Sequence, residues 1–461
     1  MERLSPRASS EIKYKYYTTM FFRKIALILL LLTLIVSAKA QQADSVYTLQ
    51  QCIDLAIKNN LDVKKSGTQL ERAKVNSRQA RENLLPNLNG NIYESISNGR
   101  SQDPTTYNYV TQRITYGQYN LSTNVTLFNG MNLINIIKQN SLLYQAGKMD
   151  FQQIKDITTI NITALYLQEL SSEDQLNQAN LQFDASKVNV DRVTALNNAG
   201  SITPTDYLNI KGTHDNDALA VVNAKNAVIT AKLNLLEAMN VPFSTTVKFA
   251  RLTADQLPAN YDQGPDQIYS SALSNLAVVK AADLRVKAAE KEVSAAKGKY
   301  YPNISLGAGI GTNFSNTNPA SFTSQFRNNY SYGPSLQVQI PILNWFQTRN
   351  NVAKAKIDLE DAKNASDGTQ VQLKQQIAQA YSNMTTAYDR YHVLLQQVET
   401  YKESYRVTQA KFENGVVTAD IFVLSKQNLD AANINLISAR YDYITRIKIL
   451  DYYQGKLSSF K

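Results

Sequence analysis

The chain has 461 residues, of which 43% are hydrophobic and 19% are charged, and its formal net charge is +10. This length is enough for two or three ordinary domains, and this composition is that of a folded protein rather than a disordered one. The Lys and Arg residues are spread among Glu and Asp instead of forming a basic block, so the charge does not predict nucleic-acid binding.

The N-terminal region is typical of a secretory signal peptide. A short basic segment, Met20–Lys24, precedes the apolar run Ile25–Val36, and small residues in an Ala-x-Ala arrangement follow at 37–41. The apolar run is shorter than the about 20 residues that a membrane-spanning helix needs. We therefore predict an exported protein that is cut after Ala40, with residues 1–19 as an extension upstream of a start at Met20.

Few side chains are available for catalysis or for metal binding. The chain has one cysteine, Cys52, and two histidines, His214 and His392. A disulfide within the chain is excluded, and Cys52 has neither a CxxC partner nor the place of a lipoprotein cysteine directly after the cleavage site. We predict no enzyme, no metal and no cofactor, with catalysis by carboxylates alone as the remaining alternative. Cys52 itself is predicted to be a partly buried helix residue.

The chain contains an internal repeat of about 215 residues. Four separated segments of the first half recur in the second half at offsets that agree closely, 216 residues for Pro86 and Pro302 and 215 for Gly200 and Gly415. A fixed offset over separated segments indicates two copies of one structural plan. The matched segments are Ala56–Val63 with Ala272–Val278, Leu84–Leu88 with Tyr300–Ile304, Val125–Asn129 with Ile340–Asn344, and Asn198–Thr203 with Glu413–Thr418.

The repeat predicts the following organisation. Residues 1–40 form the extension and signal peptide, 242–265 a linker and 456–461 a tail. The first structural repeat, 41–241, has a helix, strands at 87–98 and 116–128, and a helical hairpin at 130–240. The second, 266–455, has a helix, strands at 303–315 and 330–342, and a hairpin at 345–454.

The predicted strands alternate apolar and small polar residues over ten or more positions, as in Ile304–Phe314. Strands of soluble sheets usually run only about 5–6 residues, so this length favours the wall of a membrane β-barrel with a wet interior. No later apolar run is long enough for a transmembrane helix, and four strands cannot close a barrel without further copies. The polar segments 99–115 and 316–329 are predicted to be external loops. Aromatic residues expected at the membrane interface are Tyr93, Tyr107, Tyr109, Tyr116, Phe314, Phe322, Phe326, Tyr330 and Tyr332.

Two proline-free stretches, 130–198 and 345–414, predict helices of nearly 70 residues. Such a helix is about 100 Å long at 1.5 Å per residue. Apolar residues repeat at spacings of four and three, which is the pattern of helices that pack as coiled coils. The turns at 200–204 and 415–420 fold each long helix into an antiparallel hairpin. A soluble coiled-coil scaffold of the periplasm is the alternative, but it leaves the signal peptide and the long strands unexplained.

The order helix, strand, loop, strand, helical hairpin occurs twice after the signal peptide. This arrangement resembles that of the TolC-type outer-membrane efflux protein family. The resemblance covers residues 45–455 and depends on the order and doubling of its motifs. It implies a homotrimer in which each chain gives four strands to one twelve-stranded barrel, continued by a helical tunnel across the periplasm. It also implies a passive channel in the outer-membrane lipid that docks onto a periplasmic adaptor (membrane fusion protein) and an inner-membrane pump. The residues that carry it are Leu49–Asn60, Pro86, Leu127–Gly130, Gly200, Pro302 and Gly415.

In that family the hairpin turns line the periplasmic aperture, which polar and acidic residues close. The first turn keeps an Asp at the family's spacing, whereas the second has Ile421 and Leu424 at the acidic positions and Asp420 one residue early. An alternative role for Thr203 and Asp206 is to cap the returning helix. The resemblance makes Thr203, Thr205, Asp206, Thr418, Asp420 and Ile421 the aperture candidates.

The sequence therefore favours a trimeric outer-membrane efflux or export duct for small molecules. The outer-membrane component of a type I protein secretion system is the closest alternative, because its sequence would look the same. A periplasmic scaffold without a channel is the third possibility. The cargo is not encoded in a passive duct, since the partner pump selects it.

Overall fold

The computed structural model describes residues 46–103, 107–251, 261 and 263–456. The predicted signal peptide and cleavage site, linker residues 252–260 and 262, and tail residues 457–461 lie outside the described residues. Within them, long helices dominate and one four-stranded sheet accompanies them, which confirms the predicted mainly helical fold with four long strands. No helix in these ranges is both long and apolar enough to cross a membrane.

The first repeat contains β1 (Val46–Tyr47), α1 (Leu49–Asn59), α2 (Leu61–Glu82), β2 (Asn87–Ser97), β3 (Arg100–Gln102), β4 (Tyr109–Thr111), β5 (Ile114–Phe128), α3 (Asn132–Asn198) and α4 (Pro204–Ala238). The predicted linker contains β6 (Lys248–Phe249), which packs against the core of this repeat. The second repeat contains α5 (Pro265–Asn275), α6 (Ala277–Gly298), β7 (Asn303–Ser315), α7 (Phe322–Asn328), β8 (Ser331–Gln339), α8 (Gln347–Glu413) and α9 (Ala419–Tyr453).

The four long strands form an antiparallel sheet in the order β2-β5-β7-β8. The central pair, β5 and β7, joins the two repeats, and β2 and β8 are the two edges. β8 ends at Gln339 rather than at the predicted residue 342, because its partner β7 begins opposite, at Asn303. Pro341 follows, and proline has no N–H to donate to a ladder. The predicted loop 316–329 contains the helix α7.

The sheet has an apolar face and a polar face. Along β7, Ile304, Leu306, Ala308 and Ile310 alternate with Ser305 and three glycines. The register aligns these apolar residues with apolar neighbours, because Ile310 is opposite both Leu121 and Tyr332 and Leu306 is opposite both Val125 and Leu336. We call this side of the sheet the apolar face. Within the single chain it is largely exposed, as the 65% exposure of Leu336 shows.

The two long helices, α3 and α8, have 67 residues each and are therefore about 100 Å long. Each returns through a 35-residue partner, α4 or α9. The pairs are packed through small and branched residues such as Val221, Val228 and Ala231 on α4. One end of each long helix therefore lies at the sheet and the other at a tight turn.

Each repeat has its own core where its first helix meets the middle of the long helix. In the first repeat, α1, α3, α4 and β6 enclose Cys52, Tyr166 and Leu235. In the second, α5, α6, α8 and α9 enclose Ile268, Ile377 and Leu450. The corresponding cores show that the sequence repeat is also a repeat of packing.

Cys52 is fully buried in α1, more deeply than predicted. Burial, reinforced by the nearby Glu169 carboxylate, raises the pKa of the Cys52 thiol to about 12. Glu169 is itself fully buried, and Nζ of Lys232 lies 3.8 Å from its carboxylate. Burial and the neighbouring Glu173 raise the pKa of Glu169 to about 8. Burial in the first core therefore favours the neutral forms of the Cys52 thiol and the Glu169 carboxyl.

The start of α3 is fixed by a close backbone approach. Gly130 has φ +64°, and a Cβ placed there would be 2.2 Å from the carbonyl oxygen of Gly298 at the end of α6. Asn132 then donates a 2.6 Å hydrogen bond from Nδ2 to the carbonyl oxygen of Ala295. Glycine at both positions is therefore needed for α3 to dock on α6.

The Gly130→Ala substitution should lower the free energy of unfolding by about 3 kcal/mol, because it adds both a clash and a left-handed residue. The matched control is Gly147→Ala within α3, where the nearest atom to a new Cβ is Ala73 Cβ at 3.6 Å. That control should be neutral or stabilising by up to about 1 kcal/mol. Thermal unfolding by circular dichroism measures both, and equal melting temperatures for the two variants would contradict the close approach.

Candidate functional site

The first hairpin turn is stabilised by local hydrogen bonds. Gly200 adopts φ +68°, and the Ser201 N–H donates to the carbonyl oxygen of Leu196 at 2.8 Å, which closes the end of α3. Thr203 Oγ1 accepts from the Asp206 N–H at 3.1 Å and donates to Asp206 Oδ2 at 2.8 Å. The two side chains form the helix cap that the sequence offered as an alternative role.

The second turn follows the same backbone plan with different side chains. Gly415 has φ +69°, and the Val416 N–H donates to the carbonyl oxygen of Lys411 at 2.8 Å. A hydrogen bond from Thr418 holds the pKa of the Asp420 carboxyl below its usual range. Asp420 therefore stays ionised at the first turn of α9, where the helix dipole also favours a negative charge.

The two turns of one chain lie side by side and enclose a cleft of about 620 Å³. Among the aperture candidates, Thr203, Asp206 and Thr418 line this cleft. The structure does not bring Thr205, Asp420 and Ile421 into it, and all three are exposed. The hairpin ends are held together by an apolar cluster that includes Val193, Ile210 and Ala419.

An ion pair that sequence reasoning missed also joins the two hairpin ends. Arg192 of α3 lies 2.9 Å from the Glu413 carboxylate of α8, and its guanidinium stacks 5.8 Å from the centre of the Phe412 ring. The partners are more than 200 residues apart, and neither has a counterpart of matching charge in the other repeat. No local pattern in the sequence could have paired them.

A second missed group lies in the interior between the hairpins. Lys426 of α9 is only 4% exposed and contacts Asp217 of α4 at 2.9 Å as well as Asp430 one turn along its own helix. Burial opposes the charge of Lys426, but the two carboxylates outweigh it and leave its pKa raised. Removing one partner of such a buried group is strongly destabilising. Lys426 therefore fixes α9 against α4 a few turns from the cleft.

At the opposite end of the molecule, the predicted interface aromatics do not share one face. Phe314 and Tyr332 lie on the apolar face, and Tyr330, which precedes β8, stacks on Tyr332 with ring centres 6.1 Å apart. Tyr93 and Tyr116 are opposite Gln118 and Ser95 and lie on the polar face. Strand pleating turns successive side chains to opposite sides, so these two do not lie beside Phe314 and Tyr332. Their position at a lipid interface stays a prediction.

The short helix α7 folds over the apolar face at this end. Ser321 caps it, and Phe322 and Phe326, one turn apart, pack against Tyr119 of β5 with ring centres 6.2 and 5.6 Å away. The buried Gln325 side chain ties the helix to β7 through hydrogen bonds of 2.9 Å with the N–H and the carbonyl oxygen of Ser315. A serine cap followed by aromatics four apart was the signal that could have predicted this helix.

No three His, Cys, Asp or Glu side chains are grouped as metal ligands within the part of the chain that the structure describes. His214 donates or accepts a 3.0 Å hydrogen bond with Ser186 and stacks on Phe183. His392 lies against Tyr388 and Tyr391. Both histidines are thus engaged in packing contacts between or along helices.

The chain is similar to several outer-membrane proteins along most of its length. It is 21% identical to the outer membrane protein TolC of Escherichia coli, over 92% of this chain and 84% of that one. It is 21% identical to the toxin and drug export protein A of Aggregatibacter actinomycetemcomitans, over 86% and 83% of the two chains. The CmeC outer membrane channel of Campylobacter jejuni has the same fold, with a TM-score of 0.76, 15% identity, and coverage of 88% and 85%.

The family described as outer membrane efflux protein matches residues 52–241 and 268–455. These two ranges correspond closely to the two structural repeats and together make up most of the chain. The resemblance inferred from the sequence is thus confirmed, and the chain belongs to the outer membrane efflux protein family.

Proposed function

We propose that this chain is one subunit of a homotrimeric, passive duct that carries small molecules from a periplasmic adaptor and an inner-membrane pump to the exterior. The best supporting observation is that one chain contains both a sheet and two long hairpins. The sheet has one apolar and one polar face and two open edges, and the hairpins are about 100 Å long. The sheet suits a barrel wall, and the hairpins suit a tunnel. We assign the duct neither a catalytic role nor a cofactor.

The edges of the sheet support an oligomer. β2 and β8 each pair on one side only in the described chain, and their apolar face is exposed. An open edge in lipid leaves backbone groups without hydrogen bonds, which costs several kcal/mol for each group. Pairing β8 of one copy with β2 of the next removes both edges. Three copies give the twelve strands that the family resemblance implies.

The repeat also predicts which helices meet between copies. Within one chain, α3 of the first repeat lies along α6 of the second, with an ion pair between Asp150 and Arg285. The equivalent surface of α8 should then lie along α2 of the next copy. In the single chain that region is uncovered, since Trp345 is 91% exposed and Ile357 is 66% exposed.

We propose that the aperture candidates lie around the inner, periplasmic end of this tunnel. The Asp206 carboxylate accepts a hydrogen bond from Thr203 in the cap of α4, so fewer of its acceptor positions are left for contacts with neighbouring copies. Ile421 and Leu424, 48% and 58% exposed, are apolar side chains at the start of α9, and Val416 in the turn itself is 69% exposed. The closure is therefore proposed to combine capped polar groups with an apolar ring rather than an acidic one.

The trimer can be tested with a pair of cysteines at repeat-equivalent positions. Asn132 and Ala295 touch within one chain, and shifting them by the repeat offsets gives Gln347 and Gln79. In a Cys52→Ser background, Gln347→Cys with Gln79→Cys should yield dimer and trimer bands after mild oxidation of outer membranes. The band pattern is read on a non-reducing gel.

The matched control replaces Gln79→Cys by Asp62→Cys, about 25 Å away along the same helix. It should give monomer only. Absence of cross-linked bands with the first pair, or recovery of the protein in the soluble periplasmic fraction, would overturn the trimeric duct and favour the periplasmic scaffold.

A protein-secretion channel is the second candidate, because one relative is named for the export of both toxin and drug. A deletion strain separates the two functions. For the efflux duct we expect at least a fourfold drop in the inhibitory concentration of several unrelated small toxicants, with an unchanged pattern of secreted proteins. Loss of one or a few secreted proteins with unchanged susceptibility would instead assign the chain to secretion.

A further inference from the structure

A groove of about 470 Å³ lies on the apolar face of the sheet, next to the end of α7. Strands β2, β5 and β7 form its base, and Phe326 and Tyr330 bound it on the side of the external loops. Gly90 leaves room in it, because a Cβ there would meet only Leu121 Cδ1, at 3.9 Å. The groove belongs to one chain. Its other principal side chains are Ile92, Tyr119, Leu121 and Ile310.

Two polar side chains of the groove, those of Thr312 and Tyr119, are already paired. Thr312 Oγ1 donates a 2.9 Å hydrogen bond to the carbonyl oxygen of Phe326. The Tyr119 hydroxyl donates to Glu94 Oε1 at 2.8 Å. With these groups satisfied, what the groove presents to a ligand is mainly hydrocarbon and aromatic surface. Such a surface selects a ligand segment that has no hydrogen-bonding groups of its own.

Exposure and position identify the source of such a segment. Within the chain Ile92 is 74% exposed, Tyr330 is 57% exposed and Ile310 is 48% exposed. The groove continues directly into the rest of the apolar face, which in the proposed barrel is turned toward lipid. Acyl chains are the medium that touches this face, and a concave site contacts a chain on more sides than a smooth wall does.

We propose that this groove holds one acyl chain of an outer-membrane lipid, bound between the strand surface at Gly90 and the aromatic side chains of Phe326 and Tyr330. The inference rests on the proposed orientation of the apolar face toward lipid. It goes further by assigning each chain one preferred lipid position among many transient contacts. The short helix α7 then serves as the wall of a lipid site.

The test uses the purified full-length protein in a mild detergent, titrated with dioleoyl phosphatidylethanolamine. Native mass spectrometry then measures how many lipid molecules stay bound to each chain. The parent should retain one tightly held lipid per chain. Gly90→Leu places a side chain in the groove and should weaken this binding about tenfold, the effect of displacing roughly two buried methylene groups. Gly90→Ala should have a smaller effect in the same direction.

The matched control is Ala308→Leu, which adds hydrocarbon to the exposed apolar face but lies outside the groove. It should bind lipid like the parent. Equal lipid binding by Gly90→Leu and the parent, or an equal loss in Ala308→Leu, would overturn the proposal and indicate general boundary lipid only. The proposal would also be overturned if the parent keeps no lipid and Gly90→Leu loses the parent's oligomeric state. That result would mean that a second copy of the chain fills the groove.

The same spectra separate this proposal from the proposed function. Lipids are counted per chain, and the mass of the assembly is read independently. Trimers without a retained lipid would refute the groove alone. Chains that hold one lipid but never assemble would refute the trimeric duct and leave the lipid site standing.

Discussion

The unpaired outer sides of β2 and β8 are the constraint on which the rest of the architecture depends. Within the described chain the sheet has four strands, and both edge strands are long and carry apolar side chains. In water such edges promote aggregation, and in lipid they are too costly to persist. By itself the chain leaves both edges open, and the proposed joining of copies requires helices that do not obstruct them. The antiparallel hairpins satisfy this, because both leave the sheet at the same end.

The two repeats share a backbone plan but differ where they face different neighbours. Gly130 touches Gly298 within the chain, and the position equivalent to Gly130 is Trp345, which is exposed. Lys426 and Asp430 have the exposed counterparts Lys211 and Asp215 in the first repeat, but Asp217 has an alanine as its counterpart. A duplicated chain thus keeps its fold while each half adapts to the surface that it meets.

Much of this fold follows from the sequence, because its determinants are local and repeated. The alternation of apolar and polar residues over ten positions predicts the strands, and the absence of proline over nearly 70 positions predicts the long helices. Both patterns can be read directly from the sequence, and the fixed repeat offset lets the prediction for one half be compared with that for the other. The face on which Tyr93 lies also follows from the sequence, since the residue next to Ile92 must lie on the opposite face of the same strand. By contrast, Arg192 with Glu413 and Lys426 with Asp217 join segments whose alignment depends on how two hairpins pack. No spacing in the sequence determines that alignment.

The unequal lengths within each hairpin have a mechanical meaning. Of the described helices, only α3 and α8 run without a break from the sheet to a turn, whereas α4 and α9 end beside the central cores. Their 67 residues form one continuous ladder of hydrogen bonds, and the 35-residue partners touch them only through side chains. A torque applied at the turns is therefore transmitted to the strands through α3 and α8. The shorter helices end in the central cores and do not reach the four-stranded sheet.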